Sequence, residues 1–183
     1  MSALRTAAGL ATLILMGCST DTASILQPEA LLAASDANRT HRFSARQLGF
    51  PSAPPPSVVC PAGSVPSASV VTGTGTFVGS FTGSAWLCLA FTSATTFQFV
   101  SGVNTTVAAN GDELESTLVS GSGSFVPTAS GTGLVFSSVY NITGGTGRFG
   151  GSTGQVTVDG RRDNIADPNS GLQAEIKGTI TFR

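Results

Sequence analysis

Three polar side chains in the C-terminal part of the chain are of a type that could do chemistry: Asp112, Tyr140 and Arg148. Asp112 stands next to Glu113, with Glu115 two residues on, so a carboxylate pair for acid–base work has to be considered. Glu113 and Glu115 fall on the face opposite Leu114 and Leu118, which turns them to water and makes Asp112 a turn residue. Arg148, beside Phe149, could hold an anion or close a salt bridge to a nearby carboxylate, and the bridge is the preferred reading. Tyr140 is the only tyrosine. It shares an apolar stripe with Phe136, which makes it the best single polar candidate for an interior, although a packed tyrosine with its hydroxyl at a rim would look the same. None of the three is assigned as catalytic. The single histidine, His41, lies in an expected linker, so neither a His-dependent triad nor a multi-His metal site is expected, and no metal or cofactor is assigned.

Glycine spacing offers a second chemistry. Gly145-x-Gly147-x-x-Gly150 matches the dinucleotide-binding fingerprint, which works only between a strand and a helix. Here Gly151-Ser152-Thr153-Gly154 and then Gln155-Val156-Thr157-Val158 follow, a poor helix and a good strand. Gly144, Gly145, Gly147 and Gly150 therefore read as a tight barrel corner between two long strands.

The elements that must position these residues are strands. Charged residues make up 10% of the chain and apolar ones 40%, with 23 glycines. The formal charge of −1 gives no pull towards nucleic acid. From Val70 onward apolar and polar residues alternate between Gly, Asn or Ser punctuation. The expected strands are Val70–Thr82, Ala85–Thr92, Thr95–Val100, Thr105–Ala109, Glu113–Ser120, Gly133–Thr143, Gly147–Asp159 and Gly171–Phe182. Leu172, Ala174, Ile176, Ile180 and Phe182 share one face of the last. Leu134, Phe136, Tyr140 and Ile142 form a matching stripe on the sixth. Asn110-Gly111 is a hairpin turn signal, because both residues accept positive φ. The fold class is all-β: one eight-stranded antiparallel barrel over residues 70–183, closed so that no edge is left unpaired.

Residues 18–69 read as a mostly disordered tether rich in Pro, Ala and Ser. Its basic group Arg39, His41, Arg42 and Arg46 suits a solvated linker better than a lipid-head contact. Cys60 and Cys88 have the setting of a disulfide in an oxidising compartment, with two unpaired buried thiols as the alternative.

Residues 1–17 resemble a bacterial secretion signal, with Arg5 before a short apolar stretch. Leu15-Met16-Gly17-Cys18 looks like the lipobox of bacterial lipoproteins. That resemblance implies cleavage before Cys18, acylation of its thiol and new amino group, and a membrane anchor. Ser19 after it resembles an outer-membrane address in a bacterial envelope.

Several segments look like a bacterial family of allene oxide cyclase-like barrels, related in shape to plant dirigent proteins. They are Gly73–Thr82, Val107-Ala108-Ala109-Asn110-Gly111-Asp112-Glu113-Leu114, Ile142–Phe149 and Gly178-Thr179-Ile180. The resemblance implies an eight-stranded barrel with an apolar interior. It leaves three functions open: an anchored envelope barrel, non-catalytic, holding a small apolar ligand; an isomerase or cyclase acting on an apolar substrate; or a cell-surface protein-interaction module. It carries no family catalytic residue onto a position here, and the oligomeric state stays open.

Overall fold

A computed structural model of the chain describes residues 38–183. Eight strands follow one another: β1 (Thr40–Ser52), β2 (Ser64–Gly75), β3 (Gly79–Phe91), β4 (Thr96–Ala108), β5 (Glu113–Thr128), β6 (Gly131–Gly145), β7 (Thr153–Arg162) and β8 (Leu172–Thr181). Each pairs antiparallel with the next, and β8 pairs with β1, so the sheet is a closed up-and-down barrel. Closure satisfies every strand edge. Cys18, the signal-like segment and the tether up to residue 37 lie outside the described residues.

The barrel begins thirty positions earlier than the alternation from Val70 suggests. Thr40–Ser52, read above as tether, is β1, and β2 starts at Ser64. Phe43, Ala45 and Gly49 are buried along β1 while Arg42, Ser44 and Arg46 are exposed. The inward residues are mostly small or polar, so the period of two is present without a hydrophobic signal. His41, Arg42 and Arg46 of the basic group are accordingly part of the wall, and Arg39 directly precedes it. Arg46 reaches Glu175 of β8 at 3.2 Å, and the His41 ring meets Phe77 edge-on at 5.3 Å.

The number of strands agrees with expectation although their bounds differ. Thr95–Val100 and Thr105–Ala109 are one strand, β4. Gly102 between them is not a turn residue. A Cβ there would fall 2.5 Å from the Leu87 side chain and 2.7 Å from the Trp86 carbonyl, so glycine lets β3 and β4 approach. Conversely, Val70–Thr82 spans the β2–β3 turn, where Phe77 takes a positive φ of 65°.

The two ends of the cylinder differ. At one end the Phe149 ring is fully buried and lies near Phe182, itself in contact with Phe77, at centroid distances of 6.1 and 5.2 Å. The interior of that half, between Phe43, Val78, Ile142 and Ile176, retains only about 20 Å³. The other half is hollow. The β1–β2 and β7–β8 connections leave the wall at this end. A disulfide between Cys60 and Cys88, with Cα atoms 5.5 Å apart, ties the first of these to β3.

Candidate functional site

The structure separates the three polar candidates. Asp112 and Arg148 come together at the packed end, where the β4–β5 hairpin meets the β6–β7 corner. Arg148 Nε lies 3.4 Å from Asp112 Oδ2, and the guanidinium carbon sits 5.1 Å from the Phe149 ring centroid. The Arg148 backbone N–H and Asn110 Nδ2 also donate to Asp112 Oδ2, at 3.4 and 2.8 Å. Asp112 thus joins two turns, which is a structural task. The hairpin closes as a turn from Ala108 to Gly111, whose N–H donates to the Ala108 carbonyl at 2.9 Å. Of Asn110 and Gly111 only the glycine takes positive φ, 88°, so the expected pair of left-handed residues is corrected to a turn followed by a glycine bulge. Glu115 is exposed.

The corner glycines are arranged for the same junction. Gly144 and Gly145 end β6, and Gly147 opens a three-residue 3-10 turn, Gly147–Phe149, followed by Gly150. Gly147 has φ +54°, and a Cβ there would collide with the Asp112 carboxylate. No α-helix follows, so the spacing lacks the helix N-terminus that a pyrophosphate needs.

Tyr140 stands apart. It lies five residues before Gly145 on β6, roughly 16 Å along a strand rising about 3.3 Å per residue. Its side chain turns into the lumen with 4% of its surface exposed. It lines a cavity of about 170 Å³ in the hollow half, together with Phe97, Phe99, Phe136, Leu87 and Leu134. The phenyl rings lock one another edge to face, Phe97–Phe99 at 5.3 Å and Phe99–Phe136 at 5.6 Å. Burial pushes the Tyr140 hydroxyl up to about 12, partly offset by a hydrogen bond with Ser138. At neutral pH it is a proton-bearing donor.

Five polar residues not singled out from the sequence share this cavity: Gln47 of β1, Ser67 and Ser69 of β2, Asn104 of β4 and Arg162 of β7. Asn104 is 9% exposed. Gln47 Oε1, Asn104 Oδ1 and Arg162 Nε are buried without a hydrogen-bond partner. Arg162 is held at its tip, where Nη2 donates to the Asp167 carbonyl at 2.6 Å. A signal existed for Asn104, which is in phase with the inward Thr106 and Ala108. Gln47 was hidden in the presumed tether, and Arg162 lay past the expected strand end at Asp159.

A broader recess of about 1030 Å³ crosses β7, β8, β1, β2 and β3, with Arg46, Asp159, Arg161 and Glu175 on it. It is open to solvent, and two of its charges already pair as Arg46–Glu175. The smaller lumen cavity has the enclosure of a binding site, with a few polar residues in a mostly apolar wall. Among the described residues no group of three His, Cys, Asp or Glu side chains comes together. No protein-family model matches the chain, and no curated protein or solved structure is significantly similar to it.

Proposed function

We propose that the protein is a lipid-anchored envelope barrel that holds a small apolar ligand in its lumen. The observation that carries this reading is the 170 Å³ cavity, walled largely by phenylalanine and leucine. A barrel built only to be stable would fill this space, because empty volume and unpaired polar groups both cost stability. The anchor rests on Leu15-Met16-Gly17-Cys18. Intact-mass analysis of the membrane fraction tests it: acylated Cys18 is expected, and an unmodified, water-soluble chain contradicts it. Toluene tests the lumen. It should raise the melting temperature, since a ligand bound only by the folded state stabilises it. Ala85→Leu, which adds volume to the cavity wall, should abolish the rise. No toluene-dependent shift in the unsubstituted chain contradicts the reading.

A second reading, an isomerase or cyclase on the same scaffold, is favoured by one observation. Tyr140, a buried and protonated hydroxyl, faces the cavity. The remaining polar wall groups are two serine hydroxyls, two amides and a guanidinium, none of them a base at neutral pH. The cavity is therefore better equipped to hold a molecule than to move its protons.

A further inference from the structure

We infer that the barrel lies on the bilayer along the flank centred on β3, with Leu48, Phe50, Val70, Trp86 and Val103 against neutral lipid. The choice of partner rests on the lipid-anchor reading, and nothing in it depends on the lumen.

The wall is amphipathic around its own axis. Residues 47–111 contain no Asp, Glu, Lys, Arg or His. They make up the end of β1 and all of β2, β3 and β4. In the ring of eight strands β7 stands opposite β3, and there β7 and β8 carry Asp159, Arg161, Glu175 and Lys177. A surface that faces water on all sides mixes charges of both signs throughout. A sector with none can leave water without stripping an ion of its hydration.

Strand register gathers the apolar side chains on that flank. Leu48 and Phe50 are exposed two residues apart on β1, and Phe50 lies opposite Val70 of β2, itself 53% exposed. Val70 lies opposite Ser84 of β3, and Trp86, two residues on, lies opposite Val103 of β4. Side chains opposite one another on a sheet face stand about 4.5–5.5 Å apart and diagonal ones about 7–8 Å, so the five form one patch. The closed barrel offers no strand edge, so docking here uses side chains alone. Leucine, phenylalanine and tryptophan are the residues that peripheral surfaces sink into the headgroup boundary. The chain enters beside this patch, at β1, where the Asn38 N–H donates to the Phe182 carbonyl at 2.7 Å. From Cys18 to Asn38 it can extend to at most about 70 Å, so the anchor and the flank can meet one bilayer. That bilayer is the apolar surface the anchor keeps within reach, which selects lipid over a second copy of the chain.

Trp86 is the only tryptophan, so its fluorescence reads this flank alone. The chain from the membrane fraction would be placed in phosphatidylcholine vesicles with and without brominated acyl chains, and the full chain carrying Cys18→Ser added to the same vesicles. In both, Trp86 emission should shift to the blue and be quenched by bromine, equally in low and high salt because the flank bears no charge. Val70→Lys should weaken binding of the Cys18→Ser chain by about tenfold or more, since a lysine facing lipid is disfavoured; Asp159→Lys on the opposite flank should not. If the acylated chain stays in the vesicles with Trp86 unquenched, the flank inference falls while the anchor stands. If Cys18 is unmodified but the Cys18→Ser chain docks through Trp86, the anchor reading falls while the flank holds. Binding only to anionic vesicles, lost in high salt, overturns the inference in favour of Arg42 and Arg46. A blue shift that follows protein concentration without vesicles, with a dimer in sedimentation, overturns it in favour of a second copy.

Discussion

Replacing Asn104 by leucine should make the protein more stable while impairing its binding site. Asn104 sits inside the barrel wall at 9% exposure, and its Oδ1 has no partner. A buried polar atom left unpaired costs about 1–3 kcal/mol. Leucine has nearly the same shape, carries no polar atom, and meets the phenylalanine and leucine side chains already lining the cavity. The expected gain is therefore about 1–3 kcal/mol. For a domain of this size each kcal/mol moves the melting temperature by roughly 3–4 °C, so a rise of about 3–12 °C is expected. Urea denaturation of both forms under oxidising conditions would measure it, with an unchanged m-value showing that the folded and unfolded states are otherwise alike. A gain in stability with a loss in binding is the usual mark of a group held for function. A loss of more than about 1 kcal/mol would refute the reasoning, because it would mean that the fold itself depends on the Asn104 amide.

Further expectations concern the pins of the barrel and its one tyrosine. Removing the Cys60–Cys88 bridge with a Cys60→Ser, Cys88→Ala pair should cost about 3.5 kcal/mol by loop-closure entropy over its 28-residue separation; an unchanged denaturation midpoint would show that the β1–β2 connection is held by other contacts. Arg148→Ala should cost no more than about 1 kcal/mol, since the Arg148 side chain is 43% exposed in its bridge to Asp112. The loss should shrink in high salt, and unchanged stability combined with lost ligand binding would reverse the structural assignment. Tyr140 is the only tyrosine, so tyrosinate absorbance reads it alone, and its midpoint should lie near 12 instead of 10. Because the folded state holds this proton more tightly than the unfolded chain, stability is intact below pH 10 and declines as pH rises from 10 towards 12, by roughly 2–3 kcal/mol. A midpoint near 10 would place the hydroxyl in water.

Much of the fold can be read from the chain where a strand pairs greasy inward residues with polar outward ones. Ala174, Ile176 and Ile180 of β8 are all buried, as are Tyr140 and Ile142 of β6, and both stripes match the sequence pattern. β1 was not legible because its inward positions include Ala45, Gln47 and Gly49, which a hydropathy pattern takes for linker. The break in β4 was misread for a related reason: Gly102 serves interstrand approach, which depends on a neighbour that is remote in sequence. The same contrast governs the site. Tyr140 was legible as a polar member of an apolar stripe. Gln47 and Arg162 become site residues only when β1 and β7 are brought to one cavity by closure through β8. Asp112 and Arg148 drew attention by type, and their proximity shows them to be a clasp between two turns.

One tyrosine and one tryptophan give the lumen and the outer wall a reporter each. Tyr140 lines the cavity, whereas Trp86, between the cavity-lining Ala85 and Leu87, takes the opposite face of β3. Titrating benzyl alcohol or toluene while following both side chains by NMR tests most directly whether the barrel encloses a binding site. Saturable shifts of the Tyr140 ring with Trp86 unmoved are the expected result; shifts at Trp86 alone, or none at Tyr140, would contradict it.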